Sequence, residues 1–65
     1  MRFNKGDIIL FEKENHKPDF FVSYIIDSNR DFYRFQIMFC DNKLFQGRTY
    51  QFNESNKNSK YMRKI

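Results

Sequence analysis

The chain has 65 residues, a formal net charge of +4 and an aromatic content of 20%, with one cysteine and one histidine. A chain of this length predicts a single domain over residues 1–65, because it is too short to bury two hydrophobic cores. One cysteine cannot close an intramolecular disulfide, and one histidine falls short of the usual metal-ligand sets. We therefore expect packing, chiefly of nine Phe and four Tyr, to stabilise the fold.

The start of the chain carries no signal-peptide pattern, since residues 1–7 are polar and charged. The longest strongly apolar run, residues 8–11, is far below the roughly 18 residues that span a bilayer. Together with a lone cysteine, which is typical of a reducing compartment, this predicts a soluble cytoplasmic protein without a membrane partner. Abundant Lys, Asn, Ile, Phe and Tyr beside scarce Ala, Gly and Pro is typical of an AT-rich genome, such as that of a phage or another mobile element.

The first predicted strand is the apolar run Ile8 to Phe11, which follows a turn at Gly6. The next eight residues are charged or polar apart from Pro18, and they predict an exposed loop in which His16 is solvated. A second strand over residues 20–26 alternates in period two, and the pattern leaves open which of its faces meets the core.

The Asp- and Asn-rich residues 27–31 predict a hairpin turn. The third strand, residues 32–40, shows the clearest alternation and sets 33, 35, 37 and 39 on one face and 34, 36, 38 and Cys40 on the other. A second tight turn at 41–43 is followed by a fourth strand that starts at Leu44, bends at Gly47 and continues to residue 52.

Residues 53–60 contain no apolar side chain and predict a turn or one short helical turn. The closing segment 61–65 predicts a fifth strand with Tyr61 and Ile65 available for the core. If this strand pairs with the first, the sheet can curl on itself and protect its edges.

Five short strands, one longer loop, two tight hairpins and a helical turn before the last strand resemble the SH3-like small β-barrels, the group that includes Tudor and KOW-type modules. The opening KGDIILF and the hairpin YRFQIMFCDNKLF carry this resemblance, which extends over nearly the whole chain. It implies an all-β, five-stranded barrel. The ALYDY and double-Trp features of peptide-binding SH3 domains are absent. A larger five-stranded OB-like barrel and an open curved sheet that dimerises through an edge remain alternatives.

Residues suited to catalysis are scarce, so we predict a binding module rather than an enzyme, without metal or cofactor. His16 lies in a charged loop, and Cys40 lacks a neighbouring ligand or base, so that a small apolar filler is its expected role. The Asp residues at 27, 31 and 41 lie in predicted turns, where hydrogen bonds to the backbone explain them.

Positive charge is concentrated in the last third of the chain. Residues 43–65 hold six basic residues against one acidic residue, Glu54, whereas residues 1–42 hold six basic and seven acidic residues. A barrel would bring the fourth and last strands near each other and gather these cations into one surface that attracts phosphate. The predicted basic patch consists of Lys43, Arg48, Lys57, Lys60, Arg63 and Lys64.

Aromatic side chains beside the patch would stack on bases. Tyr33 and Tyr61 are the predicted stacking residues, and Phe21 and Phe45 are also candidates for exposure. The first expectation is therefore a monomer or weak homodimer that binds nucleic acid. The alternative is a protein-interaction module that presents an aromatic groove or an open strand edge and modulates a host enzyme or transcription complex.

Overall fold

The computed structural model of the chain describes residues 3–53 and 55–65, and it is built on one antiparallel sheet. Five strands and a 3-10 turn follow one another: β1 (Ile8–Glu12), β2 (Phe20–Ser28), β3 (Phe32–Cys40), β4 (Thr49–Asn53), the 3-10 turn (Ser59–Tyr61) and β5 (Met62–Lys64). The predicted all-β class and the helical turn before the last strand are confirmed. No helix in the described ranges is long and apolar enough to cross a membrane.

The strands lie in the order β4-β3-β2-β1-β5, so β5 pairs with β1. β4 and β5 form the two edges of the sheet and do not pair with each other. The expected closure into a barrel is therefore not seen in the described residues, and the sheet keeps an open side next to β4.

Asn29 makes the β2–β3 turn, as its side-chain chemistry predicts. Its Oδ1 accepts hydrogen bonds from the backbone N–H groups of Asp31 and Phe32, at 2.8 and 3.0 Å. A short polar side chain thus satisfies the backbone donors that the reversal leaves unpaired.

The predicted start of the fourth strand at Leu44 is wrong, because residues 41–47 form successive turns. Asn42 Oδ1 accepts from the Leu44 N–H, which directs the chain away from the sheet and leaves Leu44 73% exposed. The expected bend at Gly47 is present. With φ at +85°, Gly47 donates to Ile37 O while Ile37 donates to Arg48 O, and this bulge returns the chain to the sheet.

A bulge in β3 overturns the predicted alternation at the end of that strand. Val22 pairs with Phe39 and Ser23 with Ile37, so Met38 is an extra residue between the two pairs. The extra residue reverses the inward and outward positions that follow it. Phe39, expected beside Ile37, is 55% exposed, and Cys40 is buried instead.

The core lies on the inner face of the sheet, and half of the buried apolar residues in the described ranges are aromatic. The face of β2 that carries Phe21 is the buried one. The last segment departs from the predicted alternation, because Tyr61 belongs to the 3-10 turn and β5 starts at Met62. Met62 is therefore buried, whereas Ile65 is 72% exposed. The buried apolar residues are Phe3, Ile9, Phe11, Phe21, Ile25, Tyr33, Phe35, Ile37, Cys40 and Met62.

Candidate functional site

A largely apolar cavity of about 180 Å³ opens on the inner side of the sheet, between β4 and the loop of residues 13–19. We call it the aromatic groove. Its lining comes from the sheet, the turn before β4, the loop and the segment before the 3-10 turn: His16, Lys17, Pro18, Phe21, Phe35, Ile37, Phe45, Tyr50, Phe52 and Asn58.

Phe35 is the centre of the groove floor. Its ring stacks on Phe21 at 5.7 Å between centroids, meets the edge of Phe52 at 5.0 Å and lies 5.9 Å from Tyr50. Phe21 and Phe35 are buried, whereas Phe45, Tyr50 and Phe52 are only half-buried and pack against the core from outside. The groove is therefore a row of aromatic rings whose outer members keep apolar surface in contact with water.

His16 and Pro18 form the opposite wall, which corrects the expectation of a solvated His16. His16 Nδ1 hydrogen-bonds Pro18 O at 2.8 Å, and its ring lies 5.0 Å from that of Phe11. Pro18 is itself buried. The loop thus folds back onto the inner face of the sheet, because its one apolar residue packs there.

Asn58 completes this wall and carries an unsatisfied polar atom. Its Nδ2 lies 3.4 Å from His16 Nε2, while its Oδ1 is buried and has no hydrogen-bond partner among the described residues. An acceptor buried without a donor costs about 1 to 3 kcal/mol.

The rim of the groove is basic. Lys17 lines it directly, and the Arg48 guanidinium lies 5.2 Å from the centre of the Phe45 ring. Of the described residues that line the groove, none is acidic. The potential at its mouth therefore favours negatively charged groups.

The predicted basic patch divides into two sets of cations. Arg63 forms an ion pair with Glu12 at 2.9 Å, and Lys64 forms one with Asp7 at 3.4 Å, so both are partly neutralised on the β5 edge. The other four, Lys43, Arg48, Lys57 and Lys60, are exposed and form no ion pair within residues 3–53 and 55–65. Glu54, the one acidic residue of the predicted basic stretch, lies outside the described residues.

Tyr33 is not available as a stacking residue, which corrects the prediction for it. The side chain is fully buried, and a 2.6 Å hydrogen bond joins its hydroxyl to Ser59 Oγ. Phe21, which was also a candidate for exposure, is buried at 4% exposed. Tyr61 is half-buried with Lys13 and Lys60 at 5.0 and 5.3 Å from its ring, and Phe45 is half-buried at the groove.

A second, shallow depression is acidic and lies apart from the groove lining. It is lined by Glu12, Lys13, Glu14, Asp19, Phe20 and Asp41. The hydrogen bond with Asp19, together with some desolvation, raises the pKa of Asp41 above its ordinary value. No set of three His, Cys, Asp or Glu side chains suited to a metal ion occurs in the part of the chain that the structure describes.

Cys40 lies next to this depression and is 5% exposed. Its Sγ contacts Phe20 O at 3.4 Å and Asp41 Oδ1 at 3.7 Å. The side chain fills space between β2 and the turn after β3, as expected of a small buried residue.

Of the five Phe and Tyr residues that line the groove, the sequence singled out only Phe21 and Phe45 as candidates for exposure, and it did not predict the contact with the loop of residues 13–19. Pro18 was the available signal, since an isolated apolar residue in a polar loop is a candidate for packing against the core. No protein-family model, curated protein or solved structure matches this chain.

Proposed function

We propose that the chain is a non-enzymatic interaction module that binds a segment of another polypeptide in the aromatic groove. The half-buried rings of Phe45, Tyr50 and Phe52 around an open apolar cavity are the observation that carries this proposal. A chain this small has little apolar surface to spare, and a concave site with exposed aromatic rings is the kind of surface at which binding energy concentrates. For a phage-encoded module, the partner that supplies such a segment would be a host enzyme or transcription complex.

We also infer that the fold is an open relative of the SH3-like small barrels. The strand order, the pairing of β5 with β1 and the 3-10 turn before β5 support this inference. In such a fold, the loop between β1 and β2 and the edge strand β4 would form the two sides of one binding cleft.

A peptide selected on the intact chain from a displayed library of random sequences is the direct test. Phe45→Ser should weaken its binding about tenfold, because the aromatic side chain at the groove rim is lost. Phe39→Ser is the matched control, since it removes a half-exposed aromatic ring from the outer face of the sheet. Equal effects of the two substitutions, or a selection that enriches no peptide, would reject the groove as the binding site.

Nucleic-acid binding is the second candidate function, and the four exposed cations without an ion pair favour it: Lys43, Arg48, Lys57 and Lys60. Binding through them would weaken with salt with a log-log slope of about −3 to −4. The measurement is fluorescence anisotropy with labelled single-stranded and duplex DNA and RNA at low and moderate salt. Arg48→Ala should reduce both the affinity and the slope, whereas Arg63→Ala should change them less, since Arg63 is paired with Glu12.

A further inference from the structure

The outer edge of β4 is the open backbone edge next to the aromatic groove. The Gly47 N–H donates to Ile37 O, and the Ile37 N–H donates to Arg48 O. These bonds fix which residues of β4 face β3 with their backbone groups. Because hydrogen-bonded and non-hydrogen-bonded pairs alternate along antiparallel strands, Tyr50 and Phe52 direct their backbone groups at β3. Thr49 and Gln51 direct theirs outward, where no strand of the described residues meets them.

The far end of this edge is already covered. Asn53 O accepts from the Asn56 N–H at 3.1 Å and from Ser59 Oγ at 3.4 Å, so residues 56–59 cover the carbonyl of the last residue of β4. The open carbonyls of this edge are therefore those of Thr49 and Gln51, and each of these two residues also has an outward N–H. Proteins commonly block such edges, and an edge left open next to a groove suits the addition of a strand.

The geometry of the edge matches that of the groove. Tyr50 lies between the two outward-directed residues, and its side chain lines the groove. A strand paired with Thr49 and Gln51 would place the residue opposite Tyr50 on the same face of the sheet, over the groove, and its two neighbours on the outer face. Alternate apolar side chains of a bound segment would thus enter the cavity.

Charge indicates which segment fits. The basic rim formed by Lys17 and Arg48, with no acidic residue in the described lining, favours carboxylates next to the inserted apolar side chains. A second copy of the chain does not supply this charge through its own β4, because that strand contains no acidic residue.

We propose that β4 binds an extended acidic segment of another protein by β-strand addition, with alternate apolar side chains of that segment in the aromatic groove. This rests on the proposed function, because it names the partner chemistry of the same site. Thr49 and Gln51 supply the backbone hydrogen bonds, and Arg48 and Lys17 supply the charge.

The test uses synthetic peptides selected on the intact chain and measures their affinity by fluorescence anisotropy. N-methylation of one backbone nitrogen at a time removes one donor. Strand addition predicts a period of two along the peptide, in which N-methylation at alternate positions weakens binding about tenfold or more and is tolerated at the positions between. Uniform tolerance, or losses that do not alternate, would overturn strand addition.

Variants of the chain test the two other parts of the proposal. Gln51→Pro removes an outward N–H and should weaken binding about tenfold, whereas Gln51→Ala keeps that N–H and should have little effect. Arg48→Glu should abolish preference for acidic over neutral peptides, while Lys5→Ala, which changes an exposed cation outside the groove lining, should leave it intact. Selected peptides that are neutral or basic would overturn the acidic partner.

These outcomes separate the two proposals. If Phe45→Ser abolishes binding while N-methylation shows no alternation, the groove binds polypeptide by another geometry, and only strand addition fails. If neither Phe45→Ser nor N-methylation changes the affinity, the groove itself is not the site and both proposals fail.

Discussion

Replacing Tyr33 by Phe removes one buried hydroxyl and separates a structural role for this residue from a role in binding. The hydroxyl lies 2.6 Å from Ser59 Oγ and 3.4 Å from Met62 Sδ, and it links β3 to the 3-10 turn and β5. Because all three residues are buried, the loss should cost about 1 to 2 kcal/mol of unfolding free energy. At about 4 to 8 °C per kcal/mol for a domain of this size, the Tm should fall by roughly 5 to 15 °C.

Tyr24→Phe is the matched control, since it removes a hydroxyl that bonds Gln36 Oε1 at 3.1 Å on the half-buried outer face of the sheet. Water can replace that bond, so the control should lose less than about 0.5 kcal/mol. Urea unfolding monitored by circular dichroism measures both variants. Equal destabilisation by the two substitutions would refute the link between Tyr33 and the 3-10 turn.

A double-mutant cycle sharpens this prediction. Ser59→Ala in the Tyr33→Phe background should cost less than in the wild type, because the hydrogen bond between the two hydroxyl groups is already absent. Affinity for groove ligands, measured on the folded fraction, should stay unchanged, because Tyr33 does not line the groove. A loss of affinity larger than the loss of folded protein would show that Tyr33 takes part in binding.

Three further predictions concern stability, each measured by urea unfolding. Gly47→Ala should destabilise by about 1 to 2 kcal/mol, because an alanine at φ +85° is strained; no loss would contradict the bulge before β4. Ser23→Ala should stabilise by about 1 kcal/mol, because Ser23 Oγ is buried without a hydrogen-bond partner in the described residues. The hydrogen bond with Asp19 raises the pKa of Asp41 above 3.8, so the folded chain binds more protons at this site than the unfolded chain does. The free energy of unfolding should therefore fall as the pH rises from about 3.8 through the folded pKa. Asp41→Asn should reduce this fall, and an unchanged pH profile would exclude the Asp19–Asp41 contact.

The strands were predictable because period-two alternation and turn chemistry are local. Residues 32–37 alternate as the sequence indicates, and Asn29 makes the expected hairpin turn. The bulge at Met38 was not predictable, because it depends on how β3 pairs with β2, and one extra residue exchanges the positions of Phe39 and Cys40.

The candidate site was harder to predict, because it is built from distant parts of the chain. Pro18, His16 and Tyr50 line one cavity only because the loop folds back onto the sheet, and no local pattern specifies that arrangement. Charge composition located the cations correctly in the last third of the chain, but it cannot show that Arg63 and Lys64 have acidic partners on the β1 side of the sheet.

Titration of the nitrogen-15-labelled chain with a selected acidic peptide, followed by two-dimensional NMR, locates the bound peptide on the sheet. Binding in the groove and along the open edge of β4 should produce the largest changes in amide shift at Lys17, Thr49, Gln51 and Asn58. Changes concentrated instead at Arg63 and on the outer face of the sheet would contradict it, because the ligand would then bind away from the aromatic groove.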